Sequence, residues 1–183
     1  MKEEVIAKRY ARALFALGQE QGAGAQKQYG EELARFAEAI EAAPLLDRVF
    51  RNPVIKIEDK KNVVRKVVQR LELSSMVTNF CLFLADKGRL GYFLPIQAYY
   101  NKLLDEQEGI LRGSLITAID LSREKQDQVR SGLEKQLNSN LVLDFETDQS
   151  ILGGLLLRIG DKLYDASIKA QLEQVKENIK RGE

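Results

Sequence analysis

The chain has 183 residues, 44% hydrophobic and 30% charged, with 28 lysines and arginines against 27 acids for a net charge of +1. That composition belongs to a folded globular protein with one good core or two small ones, and it exerts no bulk pull on nucleic acid or anionic lipid. Histidine is absent and Cys81 stands alone among apolar neighbours, which excludes a disulfide framework, Ser–His or Cys–His nucleophile pairs and the commonest zinc ligand, and points to a reducing compartment.

The charge is uneven along the chain. Residues 1–105 carry 17 basic and 13 acidic groups, net +4, and residues 106–183 carry 11 and 14, net −3. No run of 18 apolar residues occurs, so no membrane-spanning helix is expected. The start, Met1-Lys2-Glu3-Glu4-Val5, lacks the apolar core of a signal peptide.

The first 105 residues read as helix after helix. From Glu3 to about Gln21, Ile6, Tyr10, Leu14 and Leu17 recur at helical spacing, and Gly22-Ala23-Gly24 ends the segment. Tyr29, Leu33, Phe36, Ala37 and Ile40 mark a second helix closed by Pro44, and a short third around Leu45–Phe50 stops at Asn52-Pro53. Val64, Val67, Val68 and Leu71 give a fourth, with Glu58 and Asp59 near its first turn, where the helix dipole favours acids. Met76 to Leu84 form a fifth, stopped by Lys87-Gly88. Pro95 suits the first turn of a sixth, with apolar face Ile96, Tyr99, Leu103 and Leu104.

After Gly109 the period changes. Ile110 to Ile119 reads as a strand, and Ser122 opens a helix to about Asn138 on the narrow face Val129, Leu133 and Leu137. Leu141, Leu143 and Phe145 alternate with Val142, Asp144 and Glu146 as a half-buried strand does. Gly153-Gly154 precede the apolar run Leu155 to Ile159, and Gly160-Asp161 then reads as a two-residue hairpin turn. Ser167 or Asp165 caps a last helix with Ile168, Leu172, Val175 and Ile179 on one stripe. The predicted class is α+β, mainly α: a six-helix bundle over residues 1–105, then a small strand-helix-strand-hairpin-helix domain over 106–183.

Sites for chemistry are missing from this pattern. Gly153-Gly154 lacks the Lys-Ser/Thr ending of a phosphate loop. The acid pairs Glu3-Glu4, Glu31-Glu32 and Asp105-Glu106 read as solvated helix faces. So do the basic clusters Lys8-Arg9-Arg12 and Lys60-Lys61-Arg65-Lys66, which lack the run of interleaved aromatic residues a single-strand binder wants, Tyr10 being the one among them. Cys81 reads as core packing. An enzyme is not expected, nor any catalytic, metal or cofactor residue. The positive signal is surplus apolar surface. Met76 to Ala85 is apolar nearly all round, and the first helix carries a second stripe, Ala7, Ala11, Phe15 and Gly18. Ordinary core packing explains such stripes. The functional reading is a groove between the first and fifth helices that receives a partner helix.

Three stretches carry a resemblance: Ile6 to Phe15, Asn79 to Leu90, and Ile151 to Leu172. In this order they resemble the delta subunits of F-type ATP synthases, the family that includes the mitochondrial oligomycin-sensitivity-conferring protein. Ala166 and Ala170 stand where that family often has glycine. The resemblance implies a non-catalytic stator subunit without cofactors, present once in a hetero-oligomer and bound to the membrane only through its complex. It would face the bacterial cytoplasm, or the stromal side of a thylakoid. Its helical domain would hold N-terminal helices of alpha subunits, with Ala7, Ala11, Phe15, Phe80 and Leu84 lining the groove. Its C-terminal domain would grip the b subunits of the peripheral stalk through residues 155–181. The rival reading is an RNA- or ribosome-associated α+β protein.

Overall fold

The computed structural model describes residues 2–22, 24–137, 139–148, 151, 153–160, 162–168, 170, 172 and 176. The chain divides into two compact units, Met1–Leu104 and Asp105–Glu183. Together they make the mainly α, α+β fold that the periodicities predict.

The first unit is built from α1 (Lys2–Glu20), α2 (Ala25–Ala42), α3 (Pro44–Arg51), α4 (Ile57–Arg70), α5 (Ser75–Asp86), a 3₁₀ turn (Leu90–Tyr92) and α6 (Phe93–Glu108). Pro44, read from sequence as closing the second helix, also opens the third at its first turn, where a missing N–H costs nothing. Ser74 caps α5 by accepting from the Val77 N–H at 3.4 Å. Gly88 ends α5 at φ +63°, and the Arg89 N–H reaches back to the Leu84 carbonyl at 2.7 Å. That left-handed residue gives a tight stop to a helix whose last carbonyls would otherwise be orphaned.

The helices enclose an apolar core that includes Leu14, Leu33, Phe36, Val64, Val77, Cys81, Phe93, Ile96 and Tyr100. Phe36 stacks on Phe50 at 6.3 Å and packs at 4.7 Å against Phe93. Two charged residues that the sequence places in solvent lie inside. Glu32 is 2% exposed because it bridges helices: it accepts from the Ser74 N–H, the Ser74 hydroxyl and Gln28 at 2.7–2.8 Å. Lys60 is 6% exposed and donates to the Phe50 carbonyl at 2.9 Å. Spacing could not show this, since Ser74 and Phe50 lie ten or more residues from the groups they meet.

The second unit holds β1 (Ile110–Thr117), α7 (Arg123–Leu137), β2 (Asn140–Thr147), β3 (Leu155–Ile159) and β4 (Lys162–Asp165). The sheet order is β2-β1-β3-β4. β1 and β2 pair in parallel, Leu115 beside Phe145, joined by α7 as the crossover that parallel strands require. β3 runs antiparallel to β1, and β4 antiparallel to β3. Leu115, Leu141, Leu143 and Leu157 form the core, with Val129 and Leu133 of α7 packed against it. Asp105, read as solvated, accepts from Arg112 at 2.6 and 2.9 Å.

The hairpin falls where expected, with Ile159 opposite Lys162 and Gly160 at φ +56°; Asp161 lies outside the described residues. Ser167, not Asp165, is the cap. Its hydroxyl accepts from the Ala170 N–H at 3.2 Å, while Asp165 accepts from the Ser167 N–H at 2.8 Å and steadies it. Ile168 and Leu172 have helical backbone; Val175 and Ile179 of the predicted stripe lie outside the described residues. Among the described residues no helix is long and apolar enough to cross a membrane.

Candidate partner-binding surfaces

α1 carries two apolar stripes, and the core takes the one expected to face out. Leu14 of the other stripe is drawn in at 1% exposed, while Ala7 and Ala11 are 3% and 0% exposed. Gly18 continues the stripe, and a Cβ built on it would stand 2.9 Å from Gln26 Cγ of α2. Small side chains let α1 lie close on the bundle, so the residues read as room for a foreign helix make room for the protein's own. Phe15 is half-buried, edge-on to Tyr100 at 5.5 Å. On α5, Phe80 is 9% exposed and Leu84 fully buried. Thus Ala7, Ala11, Phe80 and Leu84 lie in the core of the helical unit, with Phe15 at its margin, and none of the five is open surface.

The other stripe is what the first unit presents. Ile6 and Tyr10 are half-buried and Leu17 is exposed. Phe83 of α5, 48% exposed, brings its ring to 6.1 Å from that of Tyr10, so α1 and α5 meet at the surface through an aromatic pair. The Arg9 guanidinium lies over Tyr10 at 5.2 Å and the Lys87 ammonium over Phe83 at 5.6 Å. Tyr10, Leu17 and Phe83 are not among the residues that the sequence singles out for a groove. The signal for Phe83 was present: Asn79, Phe83 and Lys87 fall at i, i+4 and i+8, which puts the phenylalanine on the polar side of α5.

The fold also sets aromatics among the first basic cluster. Tyr99 of α6 receives Lys8 at 5.8 Å and Arg12 at 5.9 Å on its ring, and Arg12 donates to its hydroxyl at 3.3 Å. Lys8 also pairs with Glu4 at 3.1 Å, which holds that carboxyl below its usual range. The second basic cluster is dispersed: Lys60 is buried, while Lys61 bonds Asp86 at 2.7 Å and Arg65 bonds Asn62 at 2.9 Å.

In the second unit, β4 is an edge strand exposed throughout, with Leu163 and Tyr164 57% and 48% open. Ile168 and Leu172, just beyond it in the chain, are also exposed. Edge strands and apolar patches of this kind are places where another chain adds on. Cys81 offers no nucleophile, for it is fully buried and desolvation pushes its thiol up. What these surfaces supply is apolar area beside cations.

A model of the ATP synthase delta (OSCP) subunit family matches residues 6–179. The ATP synthase subunits delta of Nitratidesulfovibrio vulgaris and Oleidesulfovibrio alaskensis are each 49% identical over 183 residues, covering 100% of both chains. That of Lawsonia intracellularis is 39% identical over 180 residues, 98% of this chain and 96% of its own. Among solved structures, the fold is similar to that of a chain in the mitochondrial ATP synthase hexamer of Toxoplasma gondii, with a TM-score of 0.67 at 20% identity over 94% of this chain and 96% of that one.

Proposed function

The chain belongs to the ATP synthase delta (OSCP) subunit family, and from that membership we propose how its two units divide the work of a stator. It is a non-catalytic stator subunit of the F-type ATP synthase, peripheral to the membrane. The helical unit holds N-terminal helices of the alpha subunits at the headpiece. The second unit holds the b subunits of the peripheral stalk. One copy serves each complex, on the cytoplasmic face of a bacterial membrane.

The observation that carries this reading is the α1–α5 seam, where Tyr10, Leu17 and Phe83 leave apolar area in solvent beside Arg9 and Lys87. An amphipathic helix laid there gains about 25 cal/mol for each Å² of apolar surface it covers, less the cost of association. The cations at the rim set register and salt response more than strength. Ala7, Ala11, Phe15, Phe80 and Leu84 serve from beneath, as the packed floor that holds the seam in shape. A stator must resist torque, which asks for a rigid floor and a lasting interface.

For the stalk, the supporting feature is the open apolar side of β4 with Ile168 and Leu172. Removing residues 155–181 would not test this, because Leu157 of β3 is part of the core. Single exposed residues do. Leu163→Asp and Leu172→Asp should weaken binding of the b subunits about tenfold or more while the fold persists, and unchanged binding would move the stalk contact elsewhere. For the headpiece, calorimetric titration with an alpha N-terminal peptide should show a similar loss for Phe83→Asp. Equal affinity of variant and parent would reject the seam as the docking site. An RNA- or ribosome-associated role draws no support from the family or its relatives, and four of the basic residues that motivated it are engaged: Lys8 with Glu4, Arg12 with Tyr99, Lys61 with Asp86 and Lys60 with the Phe50 carbonyl.

A further inference from the structure

Between the loop joining α3 to α4 and the turn that follows α5 lies a half-open cleft of about 440 Å³, within the range of small-ligand sites. Asn52 shapes its first wall by accepting from the Val54 N–H at 2.9 Å, a turn that carries Ile55 into the lining. The second wall holds Gly91 and Tyr92. A Cβ on Gly91 would stand 3.0 Å from Arg51 Cγ, so this wall lies directly on the end of α3. Phe50, Ile55, Ile57 and Tyr92 supply the apolar part of a lining that is otherwise polar.

Within it sits Lys60, 94% buried by its 6% exposure, with its ammonium bonded to one group, the Phe50 carbonyl at 2.9 Å. An ammonium has three donors, and a buried charge is costly unless an opposite charge meets it. No carboxylate pairs with Lys60 among the described residues, whereas the neighbouring Lys61 meets both Asp86 and Glu58. Arg51, also in the lining, gives its Nε to Asp47 at 2.8 and 2.9 Å. Among the described residues Glu3 is the only acid of the lining, and it is exposed.

We propose that this cleft binds a carboxylate borne on an apolar body, with the Lys60 ammonium as its counter-ion. One ammonium beside a backbone carbonyl suits a monoanion better than a phosphate dianion, which the carbonyl oxygen would repel. The apolar side chains Phe50, Ile55, Ile57 and Tyr92 take the body of the ligand. The site shares no residue with the Tyr10–Leu17–Phe83 seam and does not depend on the stator reading.

The rival explanation is that Lys60 only caps the end of α3 by bonding its last-turn carbonyl. Titration of the full ¹⁵N-labelled chain with benzoate, and separately with neutral benzamide, distinguishes the two. Benzoate should shift the amides of Ile55, Gly88, Gly91 and Tyr92 saturably, and benzamide should bind about tenfold more weakly. A folded Lys60→Met chain should lose the benzoate response, and Lys60→Arg should regain part of it. Should Lys60→Met fail to fold, Ile55→Glu sets a carboxylate in the lining and should weaken benzoate about tenfold by like-charge repulsion. Equal binding of benzoate and benzamide, benzoate shifts elsewhere, or unchanged benzoate binding by a folded Lys60→Met or Ile55→Glu chain overturns the proposal. The source of the natural carboxylate is read by carbodiimide coupling in the intact ATP synthase. A bond from Lys60 to an acid of another chain of the complex identifies a neighbour's side chain. Benzoate binding without such a bond identifies a free small carboxylate.

Discussion

The rings of Tyr10 and Phe83 meet at 6.1 Å with their planes 59° apart, one carried by α1 and the other by α5. Both belong to stripes that periodicity alone sorts badly. Tyr10 shares its stripe with residues expected to be core, and Phe83 lies on a helix apolar nearly all round. Their meeting at the surface decides which substitutions report on binding and which report on folding.

Ala11 and Phe83 therefore separate cleanly. Ala11 has no exposed area, so Ala11→Glu must bury a charge or push α1 off the bundle, and should destabilise the helical unit by about 3 kcal/mol or more. Phe83→Asp removes a ring that is 48% exposed and should cost about 1 kcal/mol or less. Urea unfolding of both variants is the check; an Ala11→Glu chain as stable as the parent would refute the packing described for α1.

Glu32 ties α2 to the start of α5 through two hydrogen bonds from Ser74, and a third from Gln28 steadies it within α2. Glu32→Ala leaves the Ser74 N–H and hydroxyl without that acceptor and should lower stability by about 2–3 kcal/mol. Glu32→Gln keeps one carbonyl oxygen in place and should cost less. If alanine proves as mild as glutamine in denaturant midpoint, the carboxylate is not what joins the helices.

The Lys61–Asp86 pair links α4 to α5 at 2.7 Å and gives a pH signature. The hydrogen bond from Lys61 holds the Asp86 carboxyl below its usual range. Its stabilising effect is thus present above the unfolded-state value near pH 4 and is lost as pH falls through the lower folded value. The same bond raises Lys61, whose contribution is present below about pH 10 and is lost as pH rises through the higher folded value. Asp86 is exposed and Lys61 only half-buried, so the effect is small and salt weakens it. Comparing the Tm of parent and Asp86→Asn from pH 2 to 7 should show the difference closing at the acid end; a constant gap would count against the bond.

Gly154 is held at φ +92°, and a Cβ there would stand 2.4 Å from the Ala166 carbonyl oxygen and 2.7 Å from Ser167 Cα. Both neighbours are backbone and neither has room to yield. Gly154→Ala should cost the second unit about 2 kcal/mol or more and speed amide exchange along β3 and β4. Exchange rates equal to the parent's would mean that the segment reshapes freely.

Cys81 gives a probe of the helical core. Burial pushes its thiol up, so thiolate is scarce at neutral pH and iodoacetamide has no access. Alkylation should be at least about a hundredfold slower in the native chain than in urea, tracking the population of opened molecules. Fast labelling of the native chain would contradict a closed core.

Much of the fold is legible residue by residue. Leu141, Leu143 and Phe145 alternate with Val142, Asp144 and Glu146, and the strand's burial follows that alternation. Gly160 marks a turn where it occurs, Pro44 follows the end of the second helix as read, and the cap is one of the two residues the sequence offers, Ser167. These outcomes rest on interactions spanning two to four residues, so a local pattern contains all it needs. Which stripe of α1 turns inward, why Glu32 and Lys60 are buried, how Tyr99 comes between Lys8 and Arg12, and where each strand stands in the sheet depend on atoms brought together from distant parts of the chain. Burial is a sum over all neighbours at once, and a stripe of alanines looks the same in sequence whether the helix lying on it is the protein's own or another's.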